Sequence, residues 1–152
     1  MTLGIDIGSS NLGFAVLDKD KKIKYKEYLD LNGINELKSL YLINLKLEEI
    51  KENYNIKDVA LEHIFIYPGL KAGGTIKVVE AVGVVMLFCY NNNLDFKKIS
   101  IKTIKKQITG NGNAKKAEII DKINQMYMLA EQNEHICDAI SIAYTFIKLK
   151  EA

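Results

Sequence analysis

LGIDIGSSNLGFAVLD, residues 3–18, decides how this chain folds. Residues 3–7 read as a buried strand, Gly8-Ser9-Ser10-Asn11 as a turn and residues 12–17 as a second strand. A polar turn over residues 18–22 leads to a third strand over residues 23–31, whose charged alternation suits an exposed face. The result is a three-stranded antiparallel meander. Asp6 interrupts its first apolar run directly before the glycine turn, where a buried carboxylate is costly unless it meets a cation or hydrogen-bond donors.

After Asn35 the spacing becomes helical, with Leu37, Leu40, Tyr41, Leu47 and Ile50 on or near one face and Glu48, Glu49 and Lys51 on the other. A buried strand over residues 57–63 follows, its run Val59-Ala60-Leu61 ending at Glu62. Because a helix separates this strand from the meander, the sheet is expected to turn parallel here. Residues 64–74, which include the single proline Pro68, read as a loop. The helix after it, residues 75–90, is apolar nearly all round and must be covered on more than one side. A strand over residues 95–100, a lysine-rich helix over 101–108, a flexible turn over 109–113 and two more helices, over 114–128 and from about 133 to 149, complete an α/β plan. No repeat or linker divides it, so one domain spans residues 1–152.

Apolar residues make up 48% and charged residues 26% of the 152, the balance of an ordinary globular chain. Cys89 and Cys137 have no metal-ligand or redox spacing and read as reduced core residues in a cytoplasmic protein. No signal peptide is expected, and residues 75–90, which carry Lys77 and Glu80, are too short to span a bilayer. The net charge is only +2, but residues 96–117 hold seven lysines and no acid, a local footprint for phosphate.

The residues able to carry chemistry are Asp6, Glu62, His135 and Asp138. Alone, Asp6 also fits an Asx turn and Glu62 a solvated strand end. Together, at the ends of neighbouring strands, they would share one edge of the sheet. His135 and Asp138, at i and i+3, share one helix face, and Ile136, Ala139, Ile140, Ala143 and Ile147 form the adjoining stripe that packs on the sheet. An ordinary histidine and a dipole-complementing Asp near a helix start would look the same. Three carboxylates converging without a cation would repel one another, and two divalent cations about 4 Å apart would relieve that and serve phosphodiester hydrolysis.

At these residues the sequence resembles the RuvC family of Holliday-junction resolvases, endonucleases of the RNase H-like fold. The resemblance runs through LGIDIGSSNLGFAVLD, DVALEHIF, IKKQITGNGNAKKAEI and HICDAISIAYTF, in that order and over nearly the whole chain. The first segment also looks like the phosphate-binding turn of sugar kinases and chaperone ATPases, which need a second, duplicated domain. The glycine-asparagine turn with its flanking lysines is the more specific piece. The resemblance implies an RNase H-like fold with a central five-stranded mixed sheet, three strands antiparallel and then parallel ones, flanked by helices.

It further implies that Asp6, Glu62 and Asp138 are catalytic metal ligands for two Mg²⁺ ions, with Mn²⁺ as a substitute. His135 joins them at a position where many members have Asp. Phe65 matches an aromatic that stacks on bases at an opened junction; a core phenylalanine is the plainer reading. Lys105 and Lys116 match positions near DNA phosphates, with Lys71, Lys106 and Lys115 as helpers, and a solvated surface role competes for each. A homodimer cutting opposing strands of a four-way junction is implied, and RuvA and RuvB are candidate partners. An RNase H-like nuclease of the YqgF type acting on RNA and a non-catalytic junction-binding protein remain open alternatives.

Overall fold

A computed structural model describes residues 1–65 and 72–152. Five strands form one sheet in the order β3-β2-β1-β4-β5. They are β1 (Thr2–Ile7), β2 (Asn11–Leu17), β3 (Ile23–Asp30), β4 (Asp58–Glu62) and β5 (Asp95–Ile99). The β1–β2 and β2–β3 pairs are antiparallel, whereas β1–β4 and β4–β5 are parallel. The mixed sheet expected from the meander and the intervening helix is therefore present. Polar turns close the hairpins, and the backbone crossovers to β4 and β5 contain α1 (Glu36–Asn53) and α2 (Ala72–Asn91).

The pleat sorts side chains into two cores. Leu3, Ile5, Leu12, Phe14, Val16, Val59 and Leu61 face α1 and α2. The other face carries Ala15, Leu17, Ala60 and Ile99 against α3 (Ile101–Thr109), α4 (Lys116–Tyr127) and α5 (Glu134–Glu151). Small residues predominate at the centre of this second face, and α5 packs close against it. A Cβ at Gly4 would lie 2.2 Å from the Ala139 carbonyl oxygen, and one at Gly13 would lie 2.0 Å from that of His135. Both glycines are there because helix backbone occupies the space of a side chain.

Several elements differ from the sequence reading. β4 is shorter at both ends than residues 57–63, since Lys57 and His63 lie outside the ladder that pairs it with β1 and β5. The helix expected from residue 75 starts at Ala72, so Ala72, Gly73 and Gly74 are helical, not loop. Of the rest of that loop, Ile64 and Phe65 are described, and residues 66–71, with Pro68 and Lys71, lie outside the described residues. Within α2 the 19 residues Gly73–Asn91 are long and apolar enough to cross a membrane, so length does not argue against a span. Ala81, Val82, Val85, Phe88 and Cys89 bury one face of it in the core beside the sheet, and Ile76, Val79, Met86, Leu87 and Tyr90 are exposed.

The turn over residues 109–113 is tied down. Asn111 N–H donates to Thr109 Oγ1 at 3.1 Å and Asn113 N–H to Asn111 Oδ1 at 2.9 Å, while Gly110, at φ 80°, caps α3. Helix α4 starts at Lys116, two residues later than the pattern suggests, because Glu118 accepts the Lys115 N–H at 2.6 Å and fixes Lys115 as the cap.

Candidate active site

β1 and β4 run parallel with Ile5 opposite Leu61, so Asp6 and Glu62 stand side by side one step beyond the last paired residues. Both point toward α5, as Gly4 and Ala60 do before them. Asn133 caps α5, its side chain accepting from His135 N–H at 3.0 Å and Ile136 N–H at 3.2 Å. That cap places His135 in the first turn, over Gly13, and Asp138 one turn further on. The sequence-predicted quartet of Asp6, Glu62, His135 and Asp138 is thus assembled from two strand ends and one helix start.

The contacts within the quartet are specific. His135 Nδ1 lies 2.7 Å from Asp6 Oδ2, and since a carboxylate only accepts, Nδ1 carries the proton and Nε2 is left free of that bond. Asp138 is paired with the Lys116 ammonium, which also lies 3.9 Å from Glu134. Among the described residues no three His, Cys, Asp or Glu side chains close into a ready metal cage. The ammonium of Lys116 and the imidazole of His135 hold two of the three carboxylates instead.

Burial and mutual repulsion dominate the electrostatics. Desolvation pushes the Glu62 carboxyl up to about 7, with the charges of Asp6 and Asp138 adding to it and Lys116 and Lys105 opposing. Burial also raises Asp6, against the pull of His135, and raises Asp138, against the pull of Lys116. For Lys116 burial acts downward, but the contact with Asp138 outweighs it and the ammonium is held above its ordinary value. Three oxygen-donor groups, each disfavoured as an anion, form a pocket short of positive charge.

Lys105 and Lys116 act on Glu62, and Lys106 on α3 and Lys115 at the start of α4 are exposed. Phe65 follows the end of β4, 52% exposed and 4.5 Å from the His63 ring centroid to centroid. An exposed aromatic there does not fit the core alternative. Two contributors escaped the sequence reading: Tyr28, whose ring stacks on His135 at 5.8 Å and 21°, and Gly13 beneath the same histidine. A glycine inside an apolar strand was the available signal for the second.

Comparison with known proteins agrees with this architecture. The structure of Thermus thermophilus RuvC superposes with a TM-score of 0.84 at 22% identity, covering 99% of this chain and 95% of that one. The yeast mitochondrial Holliday junction resolvase Ydc2 gives 0.66 at 15% identity, covering 99% of this chain and 78% of that one. In sequence, the crossover junction endodeoxyribonuclease RuvC of Brachyspira hyodysenteriae is 33% identical over 149 residues, covering 94% of this chain and 91% of the relative. That of Rickettsia felis is 32% identical over 151 residues, covering 95% and 96%. The family model described as crossover junction endodeoxyribonuclease RuvC matches residues 2–146, and the chain belongs to that family.

Proposed function

We propose that this protein is a structure-selective DNA endonuclease that resolves Holliday junctions and related branched DNA by hydrolysing phosphodiester bonds, leaving 5′-phosphate and 3′-hydroxyl ends. The observation that carries the reading is the convergence of Asp6, Glu62 and Asp138, from three separate elements, into one half-buried pocket in which Lys116 pairs with Asp138 and Lys105 acts on Glu62. Family membership supports the same reading, and a relative of this fold, Thermus thermophilus RuvC, is known in complex with Holliday junction substrate.

The donor set fits hard divalent cations, because carboxylate oxygens predominate and one imidazole joins them. We assign Asp6, Glu62, Asp138 and His135 as the groups that hold two Mg²⁺ ions, with Mn²⁺ able to replace them. Such ions supply Lewis-acid polarisation of the phosphate and neutralise charge on the attacking and leaving oxygens. The chain's own residues do the rest. Lys116 balances Asp138 in the absence of a cation, and together with Lys105 it puts positive charge where a phosphate approaches Glu62. Glu62, with its carboxyl near 7, becomes a full anion only above neutrality or beside added positive charge. Phe65 offers an exposed ring beside the pocket on which an unstacked base can rest. Lys106 and Lys115 extend the basic rim, and Lys71 is assigned with them on sequence alone.

A homodimer belongs to this proposal. Ile76, Val79, Gly83, Met86 and Tyr90 recur at alternating three- and four-residue steps along α2. The four side chains are 44% to 83% exposed, and nothing lies within 4 Å of a Cβ built on Gly83. That is an apolar seam left open by the chain's own packing and suited to a second copy. Cytoplasmic residence is proposed as well, in keeping with the buried free thiols of Cys89 and Cys137.

The test is cleavage of a labelled four-way junction, a matching linear duplex and a structured RNA in Mg²⁺, Mn²⁺ or EDTA, read on a denaturing gel. Symmetric, metal-dependent nicks in the junction, lost in Asp6→Asn while junction binding survives, are the expected result. Full activity in Asp6→Asn, or cutting confined to the RNA, would overturn the proposal.

A further inference from the structure

Cross-strand register places Asp6 opposite Gly13 and Gly13 opposite Tyr28, so the three form one row across β1, β2 and β3. Residues directly opposite one another in a sheet project to the same face. The middle member has no side chain, and the backbone of His135 occupies the gap, 2.0 Å from where a Cβ of Gly13 would be. The imidazole therefore lies between the outer members of the row. On one side Nδ1 meets Asp6 Oδ2 at 2.7 Å, and on the other Tyr28 stacks nearly parallel, with centroids 5.8 Å apart and planes at 21°. The His135 side chain is only 20% exposed.

We propose that Tyr28 is a positioning residue for the cleavage reaction: its ring fixes the plane of the His135 imidazole, so that Nδ1 stays on Asp6, a carboxylate of the reacting site. The proposal rests on the reading of His135 as part of that site. The hydrogen bond to Asp6 holds one edge of a ring already tethered through its Cβ, and a flat neighbour at stacking distance bears on its face and opposes rotation about the Cβ–Cγ bond. An aspartate at position 135 would offer no ring for Tyr28 to stack on, so the need for Tyr28 is tied to the histidine. Tyr28 also packs against the α5 core beside the site, which makes packing the competing role.

The experiment separates the two roles. Tyr28→Phe keeps the ring, Tyr28→Leu keeps apolar bulk without a flat face, and both are compared with wild type and repeated in a His135→Asp background. The metal-free proteins are examined by NMR of the His135 imidazole, and single-turnover cleavage of a four-way junction is measured beside junction affinity. Tyr28→Leu is expected to remove the ring-current shift of His135 and to slow cleavage about tenfold with affinity unchanged. Tyr28→Phe should match wild type, and Tyr28→Leu should add nothing once residue 135 is Asp. An unchanged imidazole spectrum in Tyr28→Leu, or equal slowing in the His135→Asp background, would overturn the proposal. A shifted imidazole in a protein whose wild type cuts no junction would uphold the Tyr28–His135 coupling and overturn the nuclease reading instead.

Discussion

Gly13→Ala is the sharpest test of how the site is built. The added methyl would meet only backbone: the His135 carbonyl oxygen at 2.0 Å, its carbon at 2.4 Å and Ile136 N at 3.0 Å. No side-chain rotation relieves such a contact, so the start of α5 must rise from the sheet by roughly 1.4 Å to reach ordinary van der Waals separation. The 2.7 Å contact between His135 and Asp6 then stretches beyond hydrogen-bond range. Overpacking costs about 1–3 kcal/mol and loss of a hydrogen bond to a charged group about as much again. At about 2–4 °C per kcal/mol for a chain of this size, the melting temperature should fall on the order of 10 °C. A displacement of that size at a catalytic group should also slow cleavage about 100-fold. Circular dichroism melts and single-turnover junction cleavage measure the two effects, with Gly73→Ala, where a Cβ meets open space, as the control. A Gly13→Ala protein that melts within about 2 °C of wild type and cuts at its rate would refute the seating of α5 on β2.

The remaining expectations concern charge and assembly. Burial, with Asp6 and Asp138, raises Glu62 to about 7, so the folded state binds its proton more tightly than the unfolded chain does. Its stabilising contribution is complete below its unfolded value and is lost as pH rises through about 7. In EDTA the protein should therefore melt lower at pH 8 than at pH 6 on this account, the difference shrinking in Glu62→Gln or with Mg²⁺; an identical pH response in Glu62→Gln would refute it. Lys105→Ala combined with Lys116→Ala should reduce the salt dependence of junction binding, by about 0.9 in log–log slope for each phosphate no longer neutralised. An unaltered slope would show that neither lysine meets DNA. On the proposed pairing, Met86→Glu, on the exposed seam of α2, should halve the mass seen by light scattering without loss of helicity, and an unchanged mass would refute pairing through this seam.

What could be read in advance depended on whether a residue's role shows along the chain or only across it. Asp6 and Glu62 were legible because each is an acid ending an apolar run, and two strands of one sheet bring such ends together. His135 and Asp138 were legible because helical spacing puts i and i+3 on one face. Tyr28 was not, since its partner lies 107 positions away and only the register through Gly13 brings the two together. The Lys116–Asp138 pair was hidden for the same reason. The burial of α5 was underread as well. Ser141 and Thr145 look like a polar face, yet both are buried, and Ser141 is satisfied by its own helix, donating to the Cys137 carbonyl at 2.8 Å.

Residue 135 sets the charge balance of the whole pocket. With histidine there, the site holds three carboxylates against Lys116, and Asp6 faces a hydrogen-bond donor. An aspartate would bring a fourth carboxylate against Asp6 and Glu62, both already raised by burial, and would remove the donor. His135→Asp should consequently lower the melting temperature in EDTA while tightening Mn²⁺ binding in titration calorimetry, because the added anion costs most when no cation balances it. The two changes have one electrostatic origin and must move together. A variant that lost stability without gaining affinity for Mn²⁺ would show that residue 135 faces Asp6 alone and not the site that Asp6 shares with Glu62 and Asp138.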